Sequence, residues 1–334
     1  MNTTGFVKYA GALAALAICS ACGAGSAVAP SNAALNDGYA GRTLLVNGRQ
    51  VTAAHANLSA PPRYATILPD RGAKSKYFEY IISDYGTYAS IFDYPKSDNQ
   101  IGSISGAGGQ GCTNVLYGYG KKIIWNVEGP DQIQEYQVPK KPLKTLSISF
   151  SFPSSCGMDT SGDLAVGNLS DGDVAIFKNA SGSGTIYSTP LDEEFFDGYD
   201  NQGNLFADGF TGYRSGFALV EMPKGSSKFV TIKTSNNPEF PGSVQWDGTY
   251  LTVFDQDTAE IYQYTVSGTT ATLKGTVSLS GTGDCAQTWI VPGLIYCGDA
   301  GGDGSVFKYP AGGSAIAVFS GSFDTPLGVV AAKK

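Results

Sequence analysis

The chain has 334 residues, among them 44 glycines, 19 tyrosines and 17 phenylalanines, and charged residues make up only 15%. So many aromatics with so little charge exclude a disordered chain, and the shortage of Glu and Lys excludes a coiled coil. A net charge of −7 and a pI near 4.8 exclude the basic surface that nucleic-acid phosphates require.

In chain order, residues 1–22 come first. Lys8 is the only charged residue before Asp37, and Tyr9 to Cys22 is apolar and small. The run is too short to span a membrane, which takes about 20 apolar residues, and it has the form of a secretory signal. Its end, Ser20-Ala21-Cys22, resembles a bacterial lipobox with Cys22 as the lipidated residue, although Cys19 stands where Leu is usual. The other reading is a plain secretory signal cut near Ala27 or Ala29. Either way the expectation is an exported protein: a lipoprotein of the cell envelope that meets the membrane through its anchor alone, or a secreted one.

Residues 23–62 read as tether and linker. The stretch 23–41 is rich in Ala, Gly, Ser and Asn. Leu44 to Val51 flanks Asn47-Gly48 with apolar residues, which signals either a small hairpin or a sticky linker. Pro61-Pro62 closes it.

From residue 63 onward one unit recurs: an apolar run, a polar turn, then a strand with a large residue near its end. It starts at Tyr80, Ile123, Leu164, Leu205, Leu251 and Ile295, spacings of 41 to 46 residues. That period suits four-stranded propeller blades. The strand after each polar turn carries an apolar residue followed three positions later by a large one: Ile91/Tyr94, Ile133/Tyr136, Val174/Phe177, Leu219/Met222, Ile261/Tyr264 and Val306/Tyr309. Residues three apart in a strand point to opposite faces, so both faces are expected to be buried between neighbouring blades. Inner strands precede the repeats at 112–117, 156–159, 196–200, 243–247 and 285–290, and outer strands follow them. Three inner strands end in Asp, a short turn and Gly, at Asp159/Gly162, Asp200/Gly203 and Asp247/Gly248, where Asp accepts turn amides and Gly takes a positive φ. The sixth inner strand is expected at the C-terminus, Pro326 to Ala331, where it would join the first blade. The fold class is therefore all-β: a six-bladed propeller of four-stranded antiparallel blades over 63–334, closed by that C-terminal strand. The repeat resembles the NHL type of six-bladed β-propeller in a divergent, exported bacterial form, a fold that hosts binding proteins, lyases and lactonases alike.

The chemistry is bounded by an absence. His55 is the only histidine and lies outside the repeats, so the histidines known in propeller lyases, a Ser-His-Asp triad and a His-metal cluster have no source within them. A divalent ion on carboxylate and amide oxygens stays open, as in the gluconolactonase family of propellers, with Asn114, Glu194, Asp197, Glu239, Gln245, Asp284 and Gln287 on or near the inner strands. The densest acidic patch, Asp192-Glu193-Glu194 with Asp197, reads first as a solvated loop. The glycine runs at 106–111 and 301–304 precede no helix and read as turns rather than phosphate loops. Trp246 and Trp289 hold similar places on adjacent inner strands, where they either pack between blades or face a ligand.

Of the cysteines beyond the signal, Cys285 and Cys297 flank a hairpin centred near Val291, which predicts a disulfide between them. Cys112 and Cys156 stand at similar places in adjacent blades, and their pairing is left open. The functional expectation is a monomeric binding or scaffolding module without a cofactor. Asn114, Asp197, Gln245, Trp246, Gln287 and Trp289 would face a protein, peptide or carbohydrate ligand. The alternative is a lactonase-like hydrolase or lyase with Ca2+ at the channel mouth.

Overall fold

The computed structural model describes residues 43–46, 49–52 and 77–334, with 84–87, 96–99, 106–108, 122, 129–131, 139–140, 151, 213–214, 283–284, 300–302 and 321–325 excepted. The signal segment with Cys22, His55, the lead-in at 63–76, the glycines at 106–108 and 301–302, and Asp284 lie outside the described residues. Strands β1 (Thr43–Val46) and β2 (Arg49–Thr52) form an antiparallel pair with Val46 opposite Arg49.

From residue 77 the described chain is strand and turn, apart from a single 3-10 turn at Lys178–Ala180. The strands β3 (Tyr77–Ser83), β4 (Tyr88–Phe92) and β5 (Gln100–Ser105) make an antiparallel meander. Next come β6 (Gln110–Thr113), the two-residue β7 (Gly120–Lys121), β8 (Ile123–Glu128), β9 (Gln132–Gln137) and β10 (Lys141–Ser147), of which β6-β8-β9-β10 form one sheet. The same four-strand order recurs in β11 (Pro153–Met158), β12 (Leu164–Asn168), β13 (Val174–Phe177) and β14 (Thr185–Tyr187). It returns in β15 (Glu193–Tyr199), β16 (Leu205–Phe210), β17 (Phe217–Met222) and β18 (Val230–Thr234), and in β19 (Val244–Trp246), β20 (Leu251–Asp255), β21 (Glu260–Ser267) and β22 (Thr270–Ser280). The last such unit is β23 (Cys285–Val291), β24 (Leu294–Asp299), β25 (Asp303–Lys308) and β26 (Gly312–Ser320). Strand β27 (Pro326–Lys333) then runs antiparallel to β3, from Pro326 opposite Ser83 to Lys333 opposite Tyr77, so that the two ends of the described chain share one sheet.

Packing follows from the two-faced strands. Ile133 and Tyr136 on β9, Val174 and Phe177 on β13, Leu219 and Met222 on β17, and Ile261 and Tyr264 on β21 are all buried, although residues three apart point to opposite faces of their sheet. A sheet with one wet face could not bury both sets. The first strands of the units lie side by side: β6 against β11, β11 against β15, β15 against β19, and β27 against both β23 and β6. Between β19 and β23 the contact is polar: the Thr288 amide donates to Ser243 Oγ at 2.7 Å, and the Ile290 amide to Gln245 Oε1 at 2.7 Å.

One expected inner strand is corrected. The run 112–117, expected to be strand throughout, is strand only as far as Thr113. The segment 114–119 leaves it because its backbone finds partners elsewhere. Gln245 Nε2 donates to Leu116 O at 3.3 Å, Trp289 Nε1 to Gly118 O at 2.9 Å, and the Gly118 amide to Ile290 O at 3.3 Å. This segment therefore reaches from β6 to β19 and β23, then rejoins regular structure as β7, parallel to the end of β27.

Candidate functional site

The inner strands line a small, partly open cavity of about 30 Å³. Its wall includes Gln110, Thr113, Leu116, Met158, Phe196, Asp197, Tyr199, Gln245, Trp246, Gln287 and Trp289, with both Cys112 and Cys156. Of the residues expected from the sequence to face a ligand, Asp197, Gln245, Trp246, Gln287 and Trp289 come together here. Asn114 does not: it is placed outside the wall, where its Oδ1 accepts the Lys121 amide at 2.8 Å and fixes the turn into β7. The reason is the departure of 114–119 from the strand.

The two glutamines are engaged by backbone. Gln287 Oε1 accepts the amides of Gly111 at 3.2 Å and Val329 at 2.9 Å, and its Nε2 donates to Gly111 O at 2.8 Å. It thus ties β23 to β6 and β27. Gln245 ties β19 to β23 and to the segment at Leu116. A buried strand approaching another at an angle cannot extend its ladder, and these side-chain amides satisfy the groups left over. Trp289 is fixed through its indole N–H, whereas Trp246 is half-buried.

Of the acidic patch only Asp192 is exposed and outside a strand; the rest is not a solvated loop. Glu193 to Tyr199 is strand, and Glu194 and Asp197 are 0% and 4% exposed. Gly167 makes room for Glu194: a Cβ there would lie 1.6 Å from its Oε2. Ser154 Oγ donates to Glu194 Oε2 at 2.9 Å, and Ser155 Oγ lies 2.8 Å from both Glu194 Oε1 and Asp197 Oδ2. A hydroxyl has one proton to give, so it donates to one carboxyl and accepts from the other, which carries a proton itself. Burial drives Glu194 well above the usual carboxylate range, and the nearby Asp197 adds to it. Burial likewise raises Asp197 to about 7, against the lowering effect of Ser155. A third carboxyl, Asp208, opposes Phe196 in the ladder and is pushed up by burial and then by Glu194; its Oδ2 accepts the Gly242 amide at 3.1 Å. The sequence carried no signal for Ser154 and Ser155, because two serines at the start of a strand do not show what they will face.

The turn aspartates do what their spacing implies. Oδ1 of Asp159 accepts the amides of Ser161 and Asp163 at 2.9 and 2.8 Å, and that of Asp200 accepts Gln202 and Asn204 at 2.8 and 2.9 Å. Asp247 Oδ1 accepts Thr249 and Tyr250 at 2.7 and 2.6 Å. Gly162, Gly203 and Gly248 have φ of 94°, 85° and 99°. Among the described residues no group of three or more His, Cys, Asp or Glu side chains is arranged to hold a metal ion.

Both cysteine pairs are bonded, each with Cα atoms 5.7 Å apart. Cys112–Cys156 joins β6 to β11. Cys285 and Cys297 are not directly opposed, since the hairpin turns at Pro292-Gly293; Cys285 faces Asp299, Cys297 faces Thr288, and an irregularity after Cys285 brings the sulfurs together.

No known family profile matches the chain, and no curated protein matches it by sequence. Solved structures do. A chain of a nidogen/laminin complex superposes with a TM-score of 0.59 at 11% identity, over 77% of this chain and 98% of its own. A protein of unknown function from Bacteroides caccae gives 0.57 at 11%, over 78% and 100%, and a functionally unknown protein from Desulfotomaculum acetoxidans 0.50 at 12%, over 77% and 99%. At such identities the likeness concerns the fold alone, which is β-propeller-like.

Proposed function

We propose that the protein is an exported, lipid-anchored binding or scaffolding module of the cell envelope, built as a six-bladed propeller of the NHL type that β27 closes. It works as a monomer on a protein, peptide or carbohydrate ligand, and its only membrane contact is the lipid on Cys22. The observation that carries this reading is the cavity among the inner strands, whose wall combines Trp246 and Trp289 with Gln245 and Gln287. Six four-strand units, counting β27 with β3 to β5, support the blade number. Two disulfides suit an oxidising compartment. One similar fold comes from a protein–protein complex, which fits a module that works by contact.

The metal-dependent hydrolase or lyase is less favoured. Gln245 and Gln287, two of its oxygen ligands by sequence, hold backbone amides instead. Glycan and peptide panels presented to the chain from residue 23 onward test the binding reading. The expected result is a saturable ligand whose affinity drops at least tenfold in Trp246→Ala with an unchanged melting temperature. Ligand binding indifferent to Trp246, or turnover of a lactone that needs added Ca2+, would overturn it.

A further inference from the structure

Strand β6 lies between β11 and β27, and β19 lies between β15 and β23. A chain that leaves β6 at Thr113 and meets Gln245 on β19 therefore crosses the space among the inner strands as a strap. Only about 30 Å³ stays open beside it, room for water but not for a ligand. A ligand reaches the wall of Gln245 and Trp289 by taking the strap's place. The contacts of the strap are those of a bound peptide. Gln245 Nε2 donates to Leu116 O at 3.3 Å, Trp289 Nε1 donates to Gly118 O at 2.9 Å, and the Gly118 amide donates to Ile290 O at 3.3 Å. Within three residues the inner strands thus engage a carbonyl, an amide and a second carbonyl, which is the repeat of a peptide backbone. Main-chain bonds of this kind give affinity in peptide recognition, and side chains give selectivity. Leu116 packs on the cluster that includes Tyr199, Tyr117 packs on the one that includes Ile290, and both stay half-buried. Gly118 has a φ of 91°, a conformation that favours glycine. The receiving glutamine does not depend on the strap. It also donates to Ile290 O at 3.1 Å and accepts the Ile290 amide at 2.7 Å, so β23 holds it in place when the strap leaves. A segment held by such bonds instead of a ladder opens more readily than a strand.

We propose that residues 114–119 are an autoinhibitory strap standing in for a peptide ligand, and that the ligand is a peptide segment with an aliphatic residue followed two places later by glycine. The proposal rests on the binding-module reading and selects the peptide among its ligand classes. A segment of that chemistry takes over the same three bonds and leaves no buried group unpaired. The strap competes with it as a tethered segment, at an effective concentration of roughly millimolar. The parent chain therefore binds such a peptide weakly, and a chain without the strap binds it well.

The test is calorimetric titration with acetyl-Asn-Val-Leu-Tyr-Gly-Tyr-amide, the sequence of 114–119. It is added to the chain from residue 23 onward, and to the same chain with 115–118 replaced by Gly-Ser-Gly-Ser. One saturable site is expected in the replaced chain. Binding should be at least tenfold weaker in the parent, at least tenfold weaker for the scrambled acetyl-Tyr-Gly-Asn-Tyr-Val-Leu-amide, and at least tenfold weaker when the replaced chain also carries Gln245→Met. Where the replaced chain shows no cooperative melt, Leu116→Gly in the parent loosens the strap alone and should bind the peptide at least threefold more tightly than the parent does. A folded opened variant that binds no peptide, binding as tight in the parent as in that variant, or equal binding of the scrambled peptide overturns the proposal. A glycan from the panel whose affinity still drops in Trp246→Ala would leave the binding module standing without it.

Discussion

The buried carboxyls make stability depend on pH with a sign opposite to that of a salt-bridged aspartate. Asp197 has an ordinary value of 3.8 and sits at about 7 in the fold, raised by burial. A group raised in the folded state leaves stability intact below its unfolded value. As pH climbs, the unfolded chain ionises first and is favoured, so stability falls from about pH 4 until the folded group ionises near pH 7, then levels off. Each pH unit of that window is worth about 1.4 kcal/mol, so Asp197 alone accounts for at most about 4 kcal/mol between pH 4 and pH 7. Glu194 and Asp208, raised further by burial, extend the fall to higher pH. Other groups titrate too, so the informative quantity is a difference between variants. Asp197→Asn still presents an oxygen to Ser155 and cannot ionise. Its stability relative to the parent should be near zero at pH 4 and rise to a gain of about 2–4 kcal/mol at pH 8. Because Ser155 couples the two carboxyls, the midpoint belongs to the pair. Urea unfolding of both proteins at intervals from pH 4 to pH 8.5 measures the difference. A difference flat across pH, or a parent that gains on Asp197→Asn as pH rises, would refute a carboxyl held protonated by burial.

The disulfides close loops of 44 and 12 residues. Loop-closure entropy gives about 4 kcal/mol for Cys112–Cys156 and about 3 kcal/mol for Cys285–Cys297; calorimetry of the paired Cys→Ala variants should show the first melting lower, and equal melting to the parent would contradict it. Deleting 326–334 removes Val329, Val330, Ala331 and Ala332, all fully buried, and bares the edge of β3. Two valines at about 1.5–3 kcal/mol each against a typical domain total of about 5–15 kcal/mol predict unfolding or aggregation, whereas deleting 23–41 should leave the melt unchanged; a C-terminal deletion that melts within a few degrees of the parent means β27 does not complete the fold. Cys22→Ala should lose metabolic lipid labelling and leave the membrane fraction, and retained label would end the lipobox reading.

The fold was legible because repetition multiplies a weak signal. One strand such as Val174–Phe177 is too short to assign by itself, but the same apolar-then-large spacing recurs from Ile91 to Val306 at a blade-like period, and burial on both faces follows from geometry. The turn aspartates were legible for a similar reason, since Asp followed by Gly has a local chemistry that needs no knowledge of neighbours. The site was legible only by position. Inner-strand membership brought Asp197, Gln245, Trp246, Gln287 and Trp289 to one cavity, but not the part each side chain takes there. Gln245 and Gln287 look like ligand contacts until the strands that abut them, β27 and β6 among them, show amides needing acceptors. Those strands are distant in sequence, the Gln287–Gly111 bond spanning 176 residues. Asn114 fails for a related reason. The sequence 112–117 alternates well enough to continue a strand, and what ends it at Thr113 is a competing set of partners on Gln245, Trp289 and Ile290 that no local pattern encodes. Having left the ladder, the segment from Val115 to Leu116 itself becomes cavity wall. The shape of the site is thus set by a tertiary contest for backbone hydrogen bonds.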